Sequence, residues 1–276
     1  MTASEPPFLP RGGSSCLTPM RIYSTLAFAL LTTFAVAQRS YVTNGSVLSE
    51  NFDGLPTSSS FLNLDGTWSD NTTLPGWYRV MTSDGTPGVE NRWRVDDGNA
   101  PGGSLYSYGS FGSSDRALGF VTSTNLPRID VGLALRNDTG GTLTGFSLRF
   151  VGEQWRHGTS GAQSLDFSFG IGNASLSSGL YTRVGALDFH APQVSGTNSG
   201  LNGNFATNRR VIQGSINGFA WNPNEVMWLR WTGTDHPAGD HGLALDNLEF
   251  MAVPEPGGVA TLGLGVVCLI RRKRKV

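Results

Sequence analysis

Two carboxylates, Glu50 near the start of the polar body and Asp246 near its end, are the residues best placed to do chemistry. In Leu48-Ser49-Glu50-Asn51-Phe52, Glu50 shares a strand face with Leu48 and Phe52; in Ala244-Leu245-Asp246-Asn247-Leu248-Glu249-Phe250, Asp246 shares one with Ala244, Leu248 and Phe250. That alternation turns both acids inward. If the first and last strands are neighbours, two adjacent buried carboxylates cannot both stay ionised without a cation or a proton. A hard ion with oxygen ligands meets the need. The expectation is a structural Ca²⁺ on Glu50 and Asp246, with Asp53, Asp240 or backbone carbonyls completing the shell. The opposing reading is a strand taken in the wrong phase, because Leu243 and Leu245 make the other face apolar too.

A second cluster is suited to binding. Gly152-Glu153-Gln154-Trp155-Arg156-His157-Gly158 places an indole between an acid and a guanidinium. Trp155 can stack on the apolar face of a sugar ring while Glu153 and Arg156 hydrogen-bond its hydroxyls; the same two charges also read as a simple pair at a strand end. Seven tryptophans stand in the chain, most of them expected in the core, with Trp68 and Trp221 in Gly/Asn-rich loop contexts. His236 and His241, with Asp235 and Asp240, form a Pro/Gly loop able to hold a metal or orient a base. No Gly-x-Ser-x-Gly elbow, His-Glu-x-x-His pair, phosphate-cradling Gly-Lys-Ser/Thr loop or Glu-x-Asp-x-x-Glu pair occurs, so no enzyme is expected.

The elements that must position these residues are strands. Ile129, Val131, Leu133 and Leu135 alternate with Asp130, Gly132, Ala134 and Arg136; Phe146, Leu148 and Phe150 alternate with Ser147 and Arg149; Leu165, Phe167, Phe169 and Ile171 alternate with Asp166, Ser168 and Gly170. Further strands are expected at 47–52, 77–81, 92–95, 116–121, 226–231 and 243–251. Charged residues make up only 15% of the chain and glycines number 37, a composition of strands and turns. One all-β domain, a jelly-roll type sandwich over 38–252, follows. The net charge of −1 includes a basic tail, so the body itself is acidic and nucleic acid is not an expected partner.

Both chain ends read as membrane signals. Met20-Arg21, the apolar 26–34 and Ala35-Val36-Ala37 before Gln38 form a secretory signal peptide over 20–37, for the Sec machinery. Residues 1–19, with four prolines, read as an extension ahead of the true initiator Met20. At the other end, Val253-Pro254-Glu255-Pro256 precedes an apolar stretch, Gly257 to Ile270, and the cluster Arg271-Arg272-Lys273-Arg274-Lys275. Uncharged apolar residues suit hydrocarbon, and the cations hold the tail on the cytoplasmic side. The apolar stretch is 14 residues, short of a ~30 Å core at ~1.5 Å per residue, so snorkelling or bilayer thinning is needed to seat it. The two cysteines, Cys16 and Cys268, both fall outside 38–252, which leaves the body without a disulfide.

The motif, apolar helix and basic end, in that order, resemble the PEP-CTERM sorting-domain proteins of Gram-negative bacteria. The resemblance covers 253–276 and implies that an exosortase, a membrane protease-transpeptidase, processes the tail of an exported protein. More weakly, Glu50-Asn51-Phe52-Asp53-Gly54 and 242–250 resemble the ends of concanavalin-like and galactose-binding-like sandwich domains, which often bind glycans. The expectation is an exported protein, transiently anchored in the inner membrane and then at the cell surface, with a structural or adhesive role in the envelope or extracellular polysaccharide matrix. The rival is a carbohydrate-binding module, and a secreted glycoside hydrolase stands third.

Overall fold

Period-two alternation builds the strands, and burial of their apolar faces stacks the strands in two layers. The computed structural model describes residues 1, 38–57, 68–83, 85–87 and 93–254. The expected signal peptide with Ala35 and Ala37, the sorting-motif residues Glu255 and Pro256, the apolar 257–270 and the basic 271–275 lie outside the described residues.

The strands are β1 (Arg39–Tyr41), β2 (Leu48–Glu50), β3 (Trp77–Ser83), β4 (Thr86–Pro87), β5 (Trp93–Asp96), β6 (Ser104–Tyr108), β7 (Ala117–Val121), β8 (Arg128–Asn137), β9 (Leu143–His157), β10 (Ser164–Ile171), β11 (Thr182–Arg183), β12 (Phe189–His190), β13 (Ser199–Gly200), β14 (Arg209–Trp221), β15 (Val226–Thr234) and β16 (Gly242–Val253). The first sheet runs β11-β10-β15-β8-β3-β4, with β1 on β8 and β12 on β10; the second runs β13-β9-β16-β7-β6-β5, with β14 on β9 and β2 on β16. This is an all-β sandwich of jelly-roll type. The early and late strands expected to be neighbours do meet: in the second sheet Glu50 pairs with Leu248 and Leu48 with Phe250.

Between the sheets lies the main core, in which Phe150 and Phe167 both pack on Trp231, and Phe146 packs on Phe169. The inward residues of β8 and β10 are those the alternation marks: Ile129, Val131, Leu133, Leu135, Leu165, Phe167 and Phe169 are buried. Each sheet also carries an outer cluster. On the first sheet it is Ala134, Leu176 and Trp228; on the second it is Tyr106, Tyr108, Ala117, Val121, Trp155 and Ala244. Trp228 and Trp231, on one strand, thus serve opposite faces.

β16 departs from simple alternation. Its pairing with β9 shifts between Asp246 and Glu249, and Asn247 takes φ 47° in the left-handed region. A bulge of this kind changes which face the following residues occupy. Leu243, Leu245, Leu248 and Phe250 all reach the main core, while Ala244 belongs to the outer cluster. Asp246 therefore does not share a face with Leu248 and Phe250, as unbroken alternation predicts.

Candidate functional site

The outer face of the second sheet divides into a covered half and an open half. In the covered half Tyr106 and Tyr108 stack with ring centroids 4.8 Å apart, and Tyr108 and Trp155 with centroids 5.9 Å apart and planes parallel. Tyr108 reaches Trp155 across two intervening strands because those strands carry small residues. A Cβ on Gly119 would lie 2.8 Å from the Tyr108 ring, and one on Gly242 would lie 2.6 Å from its hydroxyl oxygen. The loop before β14 closes over the top, where a Cβ on Gly203 would collide with the Trp155 indole.

This arrangement corrects the geometry expected of the Glu153, Trp155 and Arg156 cluster. Trp155 is 1% exposed, so its faces are taken by protein and are not an open platform. Its Nε1–H donates to Glu153 Oε2 at 2.8 Å. Arg156 does not pair with Glu153. It donates to the carbonyls of Gly98 and Asn99 at 3.2 and 2.8 Å and to Asn198 Oδ1, clamping two loops. Asp96 supports the first of these loops by accepting from the Gly98 and Ala100 N–H groups. Burial pushes the Glu153 carboxyl up to about 7, against the opposing effect of the Trp155 hydrogen bond.

The four acids expected to share one cation do not form one cluster: Glu50 and Asp240 are engaged elsewhere, while Asp53 bears electrostatically on Asp246. Glu50 pairs with Arg39 at 3.2 Å and accepts from the Phe52 N–H. Asp53 accepts from the Arg116 backbone N–H and from the Asn51 amide. Asp240 lies in the β15–β16 connection, where it accepts from Thr122, Gln163 and the His236 N–H, and burial pushes it up to about 6. Asp246 is 2% exposed and accepts from the Asn247 N–H and side-chain amide; burial, and then the charge of Glu153, push it up to about 8. The bulge is the physical reason that Asp246 and Glu50 part, since it leaves Asp246 on the outer face while Glu50 stays beside Leu48 and Leu248. Among the described residues no three His, Cys, Asp or Glu side chains converge as a ready metal set. The two loop histidines also part company: His241 Nδ1 accepts from the Gly158 N–H, while His236 Nδ1 lies 2.9 Å from the Thr234 carbonyl.

The open half is a groove of about 490 Å³ crossing β14, β9 and β16. Strand register lays its floor in two rows: Gln213, Arg149 and Glu249 in one, Ser215, Ser147 and Met251 in the other. Arg149 and Glu249 approach to 3.9 Å and their side chains are 39% and 51% exposed, so both retain capacity for further hydrogen bonds. Val47 closes one side. Ser147 and Arg149 alternate visibly with core residues in the sequence, but their partners on β14 and β16 become neighbours only through register. None of the seven tryptophans is open to solvent, Trp68 and Trp221 included; among the described residues the exposed aromatic rings are Phe111 and Phe205. Their two loops are joined by Asn202 to Ser110 and Asn204 to Asp115.

Val253 closes β16 opposite Gly145, so the first residue of the Val-Pro-Glu-Pro motif belongs to the sheet; Pro254 is exposed just beyond it. Gln38 precedes β1 directly. Among the described residues no helix is long and apolar enough to cross a membrane.

No protein-family model matches the sequence, and no curated protein matches it. Among solved structures, the chain is similar to the CBM22-1 xylan-binding domain of Paenibacillus barcinonensis Xyn10C, at 13% identity and a TM-score of 0.38 over 78% of this chain and 99% of that one. It is also similar to the N-terminal cellulose-binding domain of Cellulomonas fimi β-1,4-glucanase C, at 14% identity and a TM-score of 0.31 over 67% and 93%. A third likeness, to a Bacillus thuringiensis Cry1Da tryptic core variant, has 11% identity and a TM-score of 0.31 over 56% and 22%. At these values the likeness assigns neither ligand nor activity.

Proposed function

We propose that this chain is a non-catalytic polysaccharide-binding protein of the cell exterior, taking its ligand in the open groove on the outer face of the second sheet. The reading rests on the pair of rows across β14, β9 and β16. Arginine supplies donors, glutamate acceptors, and glutamine and serine both, a mixture that suits vicinal hydroxyls, which donate and accept together. Val47 and Met251 offer apolar contact to the C–H faces of a sugar ring. The signal-like ends of the sequence support export, with an exosortase acting on the tail.

A glycan array probed with the full chain tests this. Binding to one polysaccharide class, lost in Arg149→Ala and unchanged in Phe205→Ala, supports the groove. An array without any hit counts against glycan binding and returns the reading to a structural or adhesive role.

A further inference from the structure

The covered half of the same face holds acids that neither the groove nor the core employs. Glu153 and Asp246 project from adjacent strands, Glu153 opposite Ala244 and Asp246 opposite Val151. They are 1% and 2% exposed. One Glu153 oxygen accepts from Trp155, while the other, Oε1, is buried without a hydrogen-bond partner among the described residues. Two exposed acids add negative charge to the surroundings of the pair. Asp115, from the β6–β7 loop, bears electrostatically on both buried carboxylates, and Asp53, just after β2, bears on Asp246. Arg209, exposed opposite Glu153 on β14, offsets only part of this negative charge.

Buried carboxylates outside an ion pair are costly, and an orphaned oxygen among them adds to the cost. A divalent cation answers both. We propose that Glu153 and Asp246 are the buried ligands of a Ca²⁺ ion, with Asp115 and Asp53 closing over it from their loops. The donors are all oxygen, which selects a hard ion, and Ca²⁺ tolerates the irregular shell of carboxylates, carbonyls and water that two strands and two loops can offer. Asp115 and Asp53 are exposed, and the hydrogen bonds they accept from Asn204, Asn51 and the Arg116 N–H leave carboxylate lone pairs for the ion, so binding draws their loops onto the sheet. Through Asp115 the ion also steadies Asn204 and the loop that covers Trp155. Neither Glu50 nor Asp240 belongs to this site, and calcium binding here does not depend on glycan binding.

The test is calcium titration of the full chain after EDTA treatment, read by calorimetry, by Trp fluorescence and by thermal melting. The expected result is one Ca²⁺ per chain and a rise in Tm of roughly 5–10 °C at a hundredfold excess of free ion over Kd. Glu153→Gln and Asp246→Asn abolish the response, while Glu50→Gln and Asp240→Asn keep it. The amides preserve volume and remove charge, so in EDTA the first two variants melt at or above the wild-type temperature, which shows that they fold. Absence of calcium binding by the wild type, or an unchanged response in Glu153→Gln, overturns the proposal.

Discussion

Tyr108 lies parallel to Trp155 with ring centroids 5.9 Å apart, although they sit on strands separated by β7 and β16. Only small residues beneath the tyrosine permit this. The contact makes the covered half of the outer face a second, smaller core.

Gly119→Ala is therefore expected to destabilise the fold by about 1–3 kcal/mol, the usual cost of forcing a methyl into packed surroundings. The added carbon meets the Leu243 carbonyl, the Ala244 methyl and the Tyr108 ring, all within 3 Å. Urea denaturation measures the loss, and an unchanged midpoint contradicts the packing described.

Arg156 works as a clamp, so Arg156→Ala leaves the Gly98 and Asn99 carbonyls without their donor. A loss of about 2–3 kcal/mol is expected, as for other buried charge-assisted hydrogen bonds. Hydrogen exchange should quicken at Gly98 and Ala100, whose amides rest on Asp96. A sugar-binding role for Arg156 predicts instead a loss of affinity with stability intact.

Asp240 gives the fold a pH dependence of known sign. Burial raises it to about 6 in the folded state, against about 4 in an unfolded chain. The folded state holds the proton more tightly, so this contribution is full below about pH 4 and is lost as pH rises through about 6. Its neighbour His241 opposes it, because burial lowers that pKa and stability is lost as pH falls below 6.5. Comparison with Asp240→Asn isolates the carboxyl. Wild-type stability relative to that variant should fall by roughly 1–3 kcal/mol between pH 4 and 7, the scale set by a rise of about two pKa units. A difference independent of pH contradicts the assignment.

Alternation makes much of the core legible in the sequence. The inward sets of β8, β9 and β10 follow from period two alone, and the meeting of β2 with β16 follows from the jelly-roll expectation. β14 is not legible, because an edge strand exposed along most of its length shows little contrast between its faces. Asp246 escapes the alternation because the bulge at Asn247 leaves no unambiguous mark in residue types. The closeness of Glu153 to Asp246 depends on the register between β9 and β16, which no local pattern encodes. Trp155 reads as available because nothing in its own strand announces the loop that covers it.

Calorimetric titration of the array-selected polysaccharide into the full chain, alongside Arg149→Ala and Gln213→Ala, decides whether the groove is the binding site. At least a tenfold loss of affinity is expected in each variant with an unchanged Tm, since both side chains sit on the surface of the groove. Wild-type affinity in both variants would place the ligand elsewhere or nowhere on this face.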